Sequence, residues 1–396
     1  ALVQKNGVSY KRWVMIDTDF TVGRPVRVYD HEGYFSDLST EEVVAKRINN
    51  FSGWKCAAGI ENINIDFDGF VQLASCGVGT RINKTFTGTL GNVYDGYLII
   101  PDKWIDCNIK ACSCGADMFI PKYDPTRSSE QYLRKLLQKP PQKNKYLGHN
   151  AIGNNTSSAV ERTHLGGYKQ VFWEMGRRCN FNCSYCPSEV HNNTEKKKSW
   201  DQLNDAYQLI KDKFLLGAKA NFVVSGGEPT VHKNYIEFAE MLYSDGHKLS
   251  THSNGSRLPK YYRELIHYSD LNISIHFEYI DRYEEKISNI IDGICQEKIL
   301  RDSQGKNRGH MEVYFMVMPG RMEEAIALEK DIIQNCPEFL NYCTHTFMPL
   351  RTNEIIEQVK QGIKKDRQGN ELLIDYTGEE MNEMGSRTEK CKNEYQ

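Results

Sequence analysis

The chain lacks any unbroken apolar run near the roughly 20 residues that a bilayer-spanning helix needs, so no membrane partner is expected. It also lacks an excess of either charge, with 50 lysines and arginines against 52 aspartates and glutamates. That balance leaves no basic footprint, so no nucleic-acid partner is expected either. The short run Lys196-Lys197-Lys198 reads as a solvated approach to a helix. Residues 1–11 lack the apolar core of a secretory signal, so a cytoplasmic location is expected. A reducing compartment disfavours structural disulfides.

Cysteine, by contrast, is plentiful: there are 12. With no export signal, that number points to metal clusters. At 396 residues the chain should divide into two or three domains. Cys179, Cys183 and Cys186 fall in the spacing C-x3-C-x2-C, with Tyr185 just before the last of them. Three thiolates on one short loop suit a [4Fe–4S] cluster, which usually takes four, so one iron is left open for chemistry. Further along, the apolar Val223-Val224-Ser225 closes in the turn Gly226-Gly227-Glu228-Pro229.

From residue 168 to about 351 the pattern alternates between strand-like and helix-like stretches, which predicts a parallel α/β sheet. Strands are expected at 169–175, 221–224, 248–252, 271–277, 311–318 and 342–350. Helices are expected at 199–216 with Ser199 as N-cap, 234–244, 259–268, 282–297 and 322–335. In parallel β/α arrays the working face lies at the C-terminal strand ends. The cysteine loop, Gly226-Gly227, Ser253-Asn254 and the Ser274/His276 strand end all fall there.

Together the cysteine loop and the Gly-Gly-Glu-Pro turn resemble the radical S-adenosylmethionine (radical SAM) enzymes. The resemblance implies a partial (β/α)6 barrel over residues 168–351. It also implies that SAM chelates the open iron and that the reduced cluster cleaves it to a 5′-deoxyadenosyl radical, which takes hydrogen from a substrate. A reducing partner such as flavodoxin or ferredoxin follows from the same resemblance. Cys179, Cys183 and Cys186 are then the cluster ligands and catalytic centre. Tyr185 matches an aromatic position near the adenine, where packing against the loop is a compatible role. Gly226 and Gly227 admit a close backbone approach, the segment meets the methionyl amino group, and Glu228 and Pro229 fix the turn. Ser253, Asn254, Ser274 and His276 sit where the family contacts the SAM carboxylate and ribose. For His276, a buried ring satisfied by backbone is an equal alternative.

Before the barrel lies a second cysteine set: Cys56, Cys76, Cys107, Cys112 and Cys114. Between the first two, residues 63–73 read as a β-hairpin turning at Asp68-Gly69. With Gly91-Asn92-Val93 and the closing cysteines, this is similar to the auxiliary-cluster domains called SPASM and Twitch. The similarity implies one auxiliary [4Fe–4S] cluster on Cys56, Cys76 and two of Cys107, Cys112 and Cys114. A zinc knuckle on the same thiolates is the alternative. The expected domains are thus 1–121 (auxiliary cluster), 122–167 (linker, with a short helix at 128–138), 168–351 (barrel) and 352–396 (extension). In the family the auxiliary domain follows the barrel. Its position here, and Cys391 near the end, suggest an excerpt of a tandem arrangement. Cys295 and Cys336 read as buried helix residues, and Cys343 as a strand residue that could approach the substrate cavity.

Auxiliary clusters accompany enzymes that modify peptides or proteins most often, and small molecules next. Two other functions remain open: an iron–sulfur electron-transfer protein without turnover, and a zinc-stabilised binding module. For the latter, His191 could complete a Cys3His site with the 179–186 loop.

Overall fold

The computed structural model describes residues 13–17, 26–30, 35–38, 40–74, 89–112, 115–126, 168–186, 193, 198–282, 284–304, 310–349 and 379. Cys76, Cys114, His191, Cys391, the helix expected at 128–138 and nearly all of 352–396 lie outside them. By contacts the chain divides into two units, Ala1–Trp173 with Ser199–Phe222, and Glu174–Lys198 with Val223–Gln396. No helix among the described residues is long and apolar enough to cross a membrane.

The first unit carries strands β1 (Trp13–Asp17), β2 (Val26–Asp30) and β3 (Phe35–Leu38), helix α1 (Thr40–Ala45), then β4 (Lys55–Cys56), β5 (Asn62–Ile65), β6 (Phe70–Gln72), β7 (Gly91–Asn92), β8 (Tyr97–Leu98) and β9 (Ile105–Asp106). Helix α2 (Gly115–Met118), β10 (Lys122–Tyr123) and β11 (Lys169–Glu174) follow, with only the last residue of β11 outside the unit. One antiparallel sheet has the order β3-β2-β1-β10-β4-β9. The hairpin expected over 63–73 forms as β5–β6, with Ile65 opposite Val71. Its turn is built by Asp66, whose carboxylate accepts from Asp68 N–H (3.0 Å) and Phe70 N–H (2.9 Å). Gly69 takes φ +91°, a conformation that glycine adopts without steric cost.

The hairpin continues into β7 and β8, and on its other side β5 runs parallel to β11, pairing Val171 with Ile63 and Trp173 with Ile65. Segments expected in separate domains thus share a sheet. Buried Trp173 also donates to the Tyr94 hydroxyl at 3.2 Å.

Helix α3 (Trp200–Ile210) starts where expected, at Ser199, in a reciprocal capping box with Gln202. It buries Leu203, Ala206, Tyr207 and Ile210, then widens into a π turn over Lys211–Leu215. Strand β12 (Ala220–Ser225) leads out of the first unit.

The second unit alternates helix and strand: α4 (Tyr235–Ser244), β13 (Lys248–Ser253), α5 (Pro259–Leu265), β14 (Asp270–His276), α6 (Glu284–Ser303), β15 (Met311–Val317), α7 (Met322–Asn335), α8 (Phe339–Tyr342) and β16 (Cys343–Pro349). Strands β13 to β16 are all parallel in that order. Leu271, Ile273 and Ile275 of β14 and Met311, Val313, Phe315 and Val317 of β15 are buried at alternate positions, the strand period. Phe315 stacks on Phe347 with centroids 4.7 Å apart. This is the alternating α/β architecture expected from the sequence, mixed in class and mostly parallel around the barrel strands.

Candidate functional site

The chain leaves β11 through Met175, Gly176, Arg177 and Arg178 and enters the cysteine loop. The backbone of this passage is bonded to the turn after β12. Met175 N–H donates to Ser225 O (3.0 Å), Gly227 N–H to Gly176 O (2.7 Å) and Glu228 N–H to Arg178 O (2.8 Å). A Cβ on Gly226 would lie 2.6 Å from Gly176 O, and one on Gly227 2.3 Å from Arg178 O. The close approach that these glycines allow is, on this side, to the chain itself: one turn lies flush against the other.

Glu228 fixes that turn from within. It is buried, and its carboxylate accepts from Thr230 N–H (3.1 Å), Thr230 Oγ1 (2.5 Å), Ser253 Oγ (2.9 Å) and Asn254 N–H (2.6 Å). Burial pushes its pKa up, while the hydrogen bonds from Thr230, Asn254 and Ser253 oppose that shift. Pro229 begins the short 3-10 turn Pro229–Val231 that Glu228 caps. The Ser253 hydroxyl is committed to Glu228 and to Tyr262 Oη at 2.8 Å. Glu228 thus ties the end of β13 to the turn after β12, a connection that the Gly-Gly-Glu-Pro motif alone does not reveal.

Asn254 extends the tie to the cysteine loop. Its Nδ2 donates to Asn180 Oδ1 at 3.0 Å and lies 3.6 Å from Cys179 Sγ. The loop is held on its other side by the residues following β14. Ser184 N–H donates to both oxygens of Glu278 (2.8 and 3.2 Å), and Asn182 N–H to Tyr279 Oη (2.8 Å). Phe181 stacks on Tyr279 at 4.5 Å. Cys186 N–H closes a turn on Cys183 O at 3.1 Å.

His276, at the end of β14, meets side chains of the cysteine loop. Its Nδ1 is hydrogen-bonded to the Tyr185 hydroxyl and lies 3.6 Å from Cys183 Sγ. Burial lowers its pKa to about 4, so the ring is neutral near pH 7. Ser274 lies two residues earlier on β14, half-buried and opposite Tyr314. Its hydroxyl has no hydrogen bond to the described part of the loop. Glu278 and Tyr279 escaped the sequence reading; their one signal is an acidic and an aromatic residue just beyond a strand end.

Burial pushes the Cys179 thiol up to about 11 and Cys183 well above its ordinary range. Such thiols ionise when a cation arrives, so metal binding releases protons. Among the described residues no three His, Cys, Asp or Glu side chains converge on a point that a single ion could occupy. A four-iron cube spreads its thiolates more widely than a single ion does. Three thiols on one loop pinned from both sides fit such a cube with one iron left open.

In the first unit Cys56, Cys107 and Cys112 are all buried. Burial pushes Cys56 up, Cys107 to about 11 and Cys112 to about 12; the Lys122 ammonium pulls each back, and Asp117 adds to the rise. The thiols of Cys56 and Cys107 also act on that of Cys112, so the three form one neighbourhood. These donors fit a thiolate-held iron–sulfur centre. A third group lies in the second unit, where Cys295 Sγ and Cys343 Sγ approach to 3.9 Å with Cys336 nearby, all three buried. Cys343 therefore meets helix α6 through Cys295.

Residues 173–324 match the Radical SAM superfamily. The GTP 3′,8-cyclase of Haemophilus ducreyi is 29% identical over 126 residues, which are 29% of this chain and 36% of that protein. An S-adenosylmethionine-dependent nucleotide dehydratase of Selenomonas ruminantium is 33% identical over 88 residues, 22% of this chain and 30% of that protein. The chain thus spans well under half the length of these curated relatives. Among solved structures, Streptococcus suis SuiB bound to its precursor peptide SuiA aligns with a TM-score of 0.42 and 12% identity, covering 67% of this chain and 57% of that one.

Proposed function

We propose, for a chain that carries a radical SAM domain over residues 173–324, that Cys179, Cys183 and Cys186 hold the catalytic [4Fe–4S] cluster and that the protein modifies a peptide or protein. The observation that carries the cluster reading is the pinned loop: the hydrogen-bonded backbone and Asn254 on one side, Glu278 and Tyr279 on the other. Cys179, Cys183 and Cys186 would hold the cluster, which would supply the electron for reductive cleavage of SAM.

The chain's own residues orient and shield. Glu228 locks the Gly226-Gly227 turn against the loop, and Asn254 sets the position of Asn180 beside Cys179. Tyr185 and His276 place a hydrogen-bonded pair beside Cys183. The buried thiols of Cys56, Cys107 and Cys112 support an auxiliary cluster, with Cys76 as the fourth ligand. That second centre is what favours a peptide substrate. A low-potential donor such as flavodoxin or ferredoxin in the cytoplasm suits both centres.

A nucleotide substrate is the second reading, favoured by the two curated relatives, whose names specify GTP and nucleotide chemistry. Electron paramagnetic resonance of the reduced protein tests the cluster reading: adding SAM should change the spectrum of the 179–186 cluster. An unchanged spectrum at saturating SAM counts against an open, SAM-binding iron. Protection of the chain from thermal unfolding by GTP, but not by peptides, would favour the nucleotide reading.

A further inference from the structure

Lys122 is a buried lysine beside the cysteines of the first unit. It lies on the two-residue strand β10 and is only 2% exposed. Its Nζ donates to the carbonyls of Asp117 (2.6 Å) and Ile120 (2.8 Å) and sits 5.0 Å from the Phe51 ring centroid. No carboxylate among the described residues is in ion-pair contact with it. A buried ammonium without a counter-ion is costly, so such a group is normally paired. The register shows what faces it: Lys122 is directly opposite Cys56 on β4. Side chains of directly opposed residues project from the same face, with Cβ atoms about 5 Å apart. Cys107 reaches the same place because its N–H donates to Trp54 O and its carbonyl accepts from Gly53 N–H, both at 2.8 Å. Cys112 is held by Asn49, whose Nδ2 donates to its carbonyl at 3.1 Å while Cys112 N–H donates to Asn49 O at 2.9 Å.

We propose that Lys122 is the charge partner of the iron–sulfur centre held by Cys56, Cys107 and Cys112, and that its ammonium raises the reduction potential of that centre. The inference rests on the auxiliary-cluster reading above. A cluster ligated by thiolates is anionic, and taking up one electron from a low-potential reductant such as dithionite makes it one unit more negative, with no bond broken. A fixed positive charge inside the same apolar shell stabilises the reduced form more than the oxidised one, since net charge and burial are levers on such potentials. The Asp117 carboxylate in the same neighbourhood works against this, which sets a limit on the gain. Lys122 acts through the cluster and is a positioning and tuning residue, not a catalytic one.

The test uses the full chain carrying Cys179→Ala, Cys183→Ala and Cys186→Ala, so that any remaining cluster signal belongs to the N-terminal set. Iron and sulfide are counted, and the midpoint potential is read by paramagnetic resonance during a dithionite titration. Lys122→Met should keep the iron and sulfide content yet lower the reduced-to-oxidised ratio at fixed potential about tenfold, which is about 59 mV for one electron. Lys122→Arg should keep the parent potential. An unchanged potential in a loaded Lys122→Met chain overturns the inference and leaves Lys122 as a pin for two carbonyls. Lys122→Gln, which retains a donor, makes the same comparison if methionine does not fold. Loss of fold in both neutral variants, with arginine intact, likewise assigns a structural pin and overturns it. A triple-alanine chain that binds no iron and sulfide removes the auxiliary cluster itself, a failure distinct from an unmoved potential.

Discussion

Four donors meet one carboxylate at Glu228, and that convergence makes it the residue most exposed to substitution. Glu228→Ala leaves buried donors on Thr230, Ser253 and Asn254 without their acceptor, which should cost about 3 kcal/mol, to be read by urea unfolding. A loss below about 1 kcal/mol would mean that water replaces the carboxylate. Gly227→Ala acts differently: its Cβ would meet the Arg178 carbonyl at 2.3 Å, so the cysteine loop must shift. The expected outcome is a folded chain with a reduced iron content after anaerobic reconstitution. Acid sensitivity is also a residue-scale matter. Burial holds His252 below its usual range, whereas in the unfolded chain it titrates near 6.5. Because the folded pKa is depressed, the stability is complete above about 6.5 and is lost as pH falls through that value toward the folded one. The thermal midpoint should therefore fall between pH 7 and pH 5, and His252→Gln should flatten that decline; parallel slopes would show that another group dominates.

Elements differ in how much each contributes. Ser199→Ala removes the capping box of α3 and should cost about 1 kcal/mol. Phe315→Ala empties the stack between β15 and β16 and should cost about 3–5 kcal/mol. Chemical unfolding of the two variants should rank them in that order, and equal losses would contradict the packing account. The same contrast explains what was legible in the sequence. The barrel strands and helices announce themselves by local periodicity and by caps such as Ser199, and the hairpin by Asp68-Gly69. The parallel pairing of β5 with β11 joins residues far apart in sequence, and nothing local encodes such a partner. The candidate site divides likewise. The cysteine loop and the Gly-Gly-Glu-Pro turn are contiguous motifs, whereas Glu278, Tyr279 and Lys122 gain their roles only from where the chain folds back.

For the whole molecule the central claim is that the pinned loop holds a cluster that turns SAM over. The two cysteine sets predict separable losses: Cys183→Ala should remove one cluster's iron and sulfide, and Cys56→Ala that of the other. Equal iron in both variants and the parent would contradict the assignment of either set. The claim is met most directly by the anaerobically reconstituted full chain, reduced with dithionite in the presence of SAM and assayed for 5′-deoxyadenosine. The account predicts product from the parent and none from Cys183→Ala; a fully loaded parent that leaves SAM intact would contradict it.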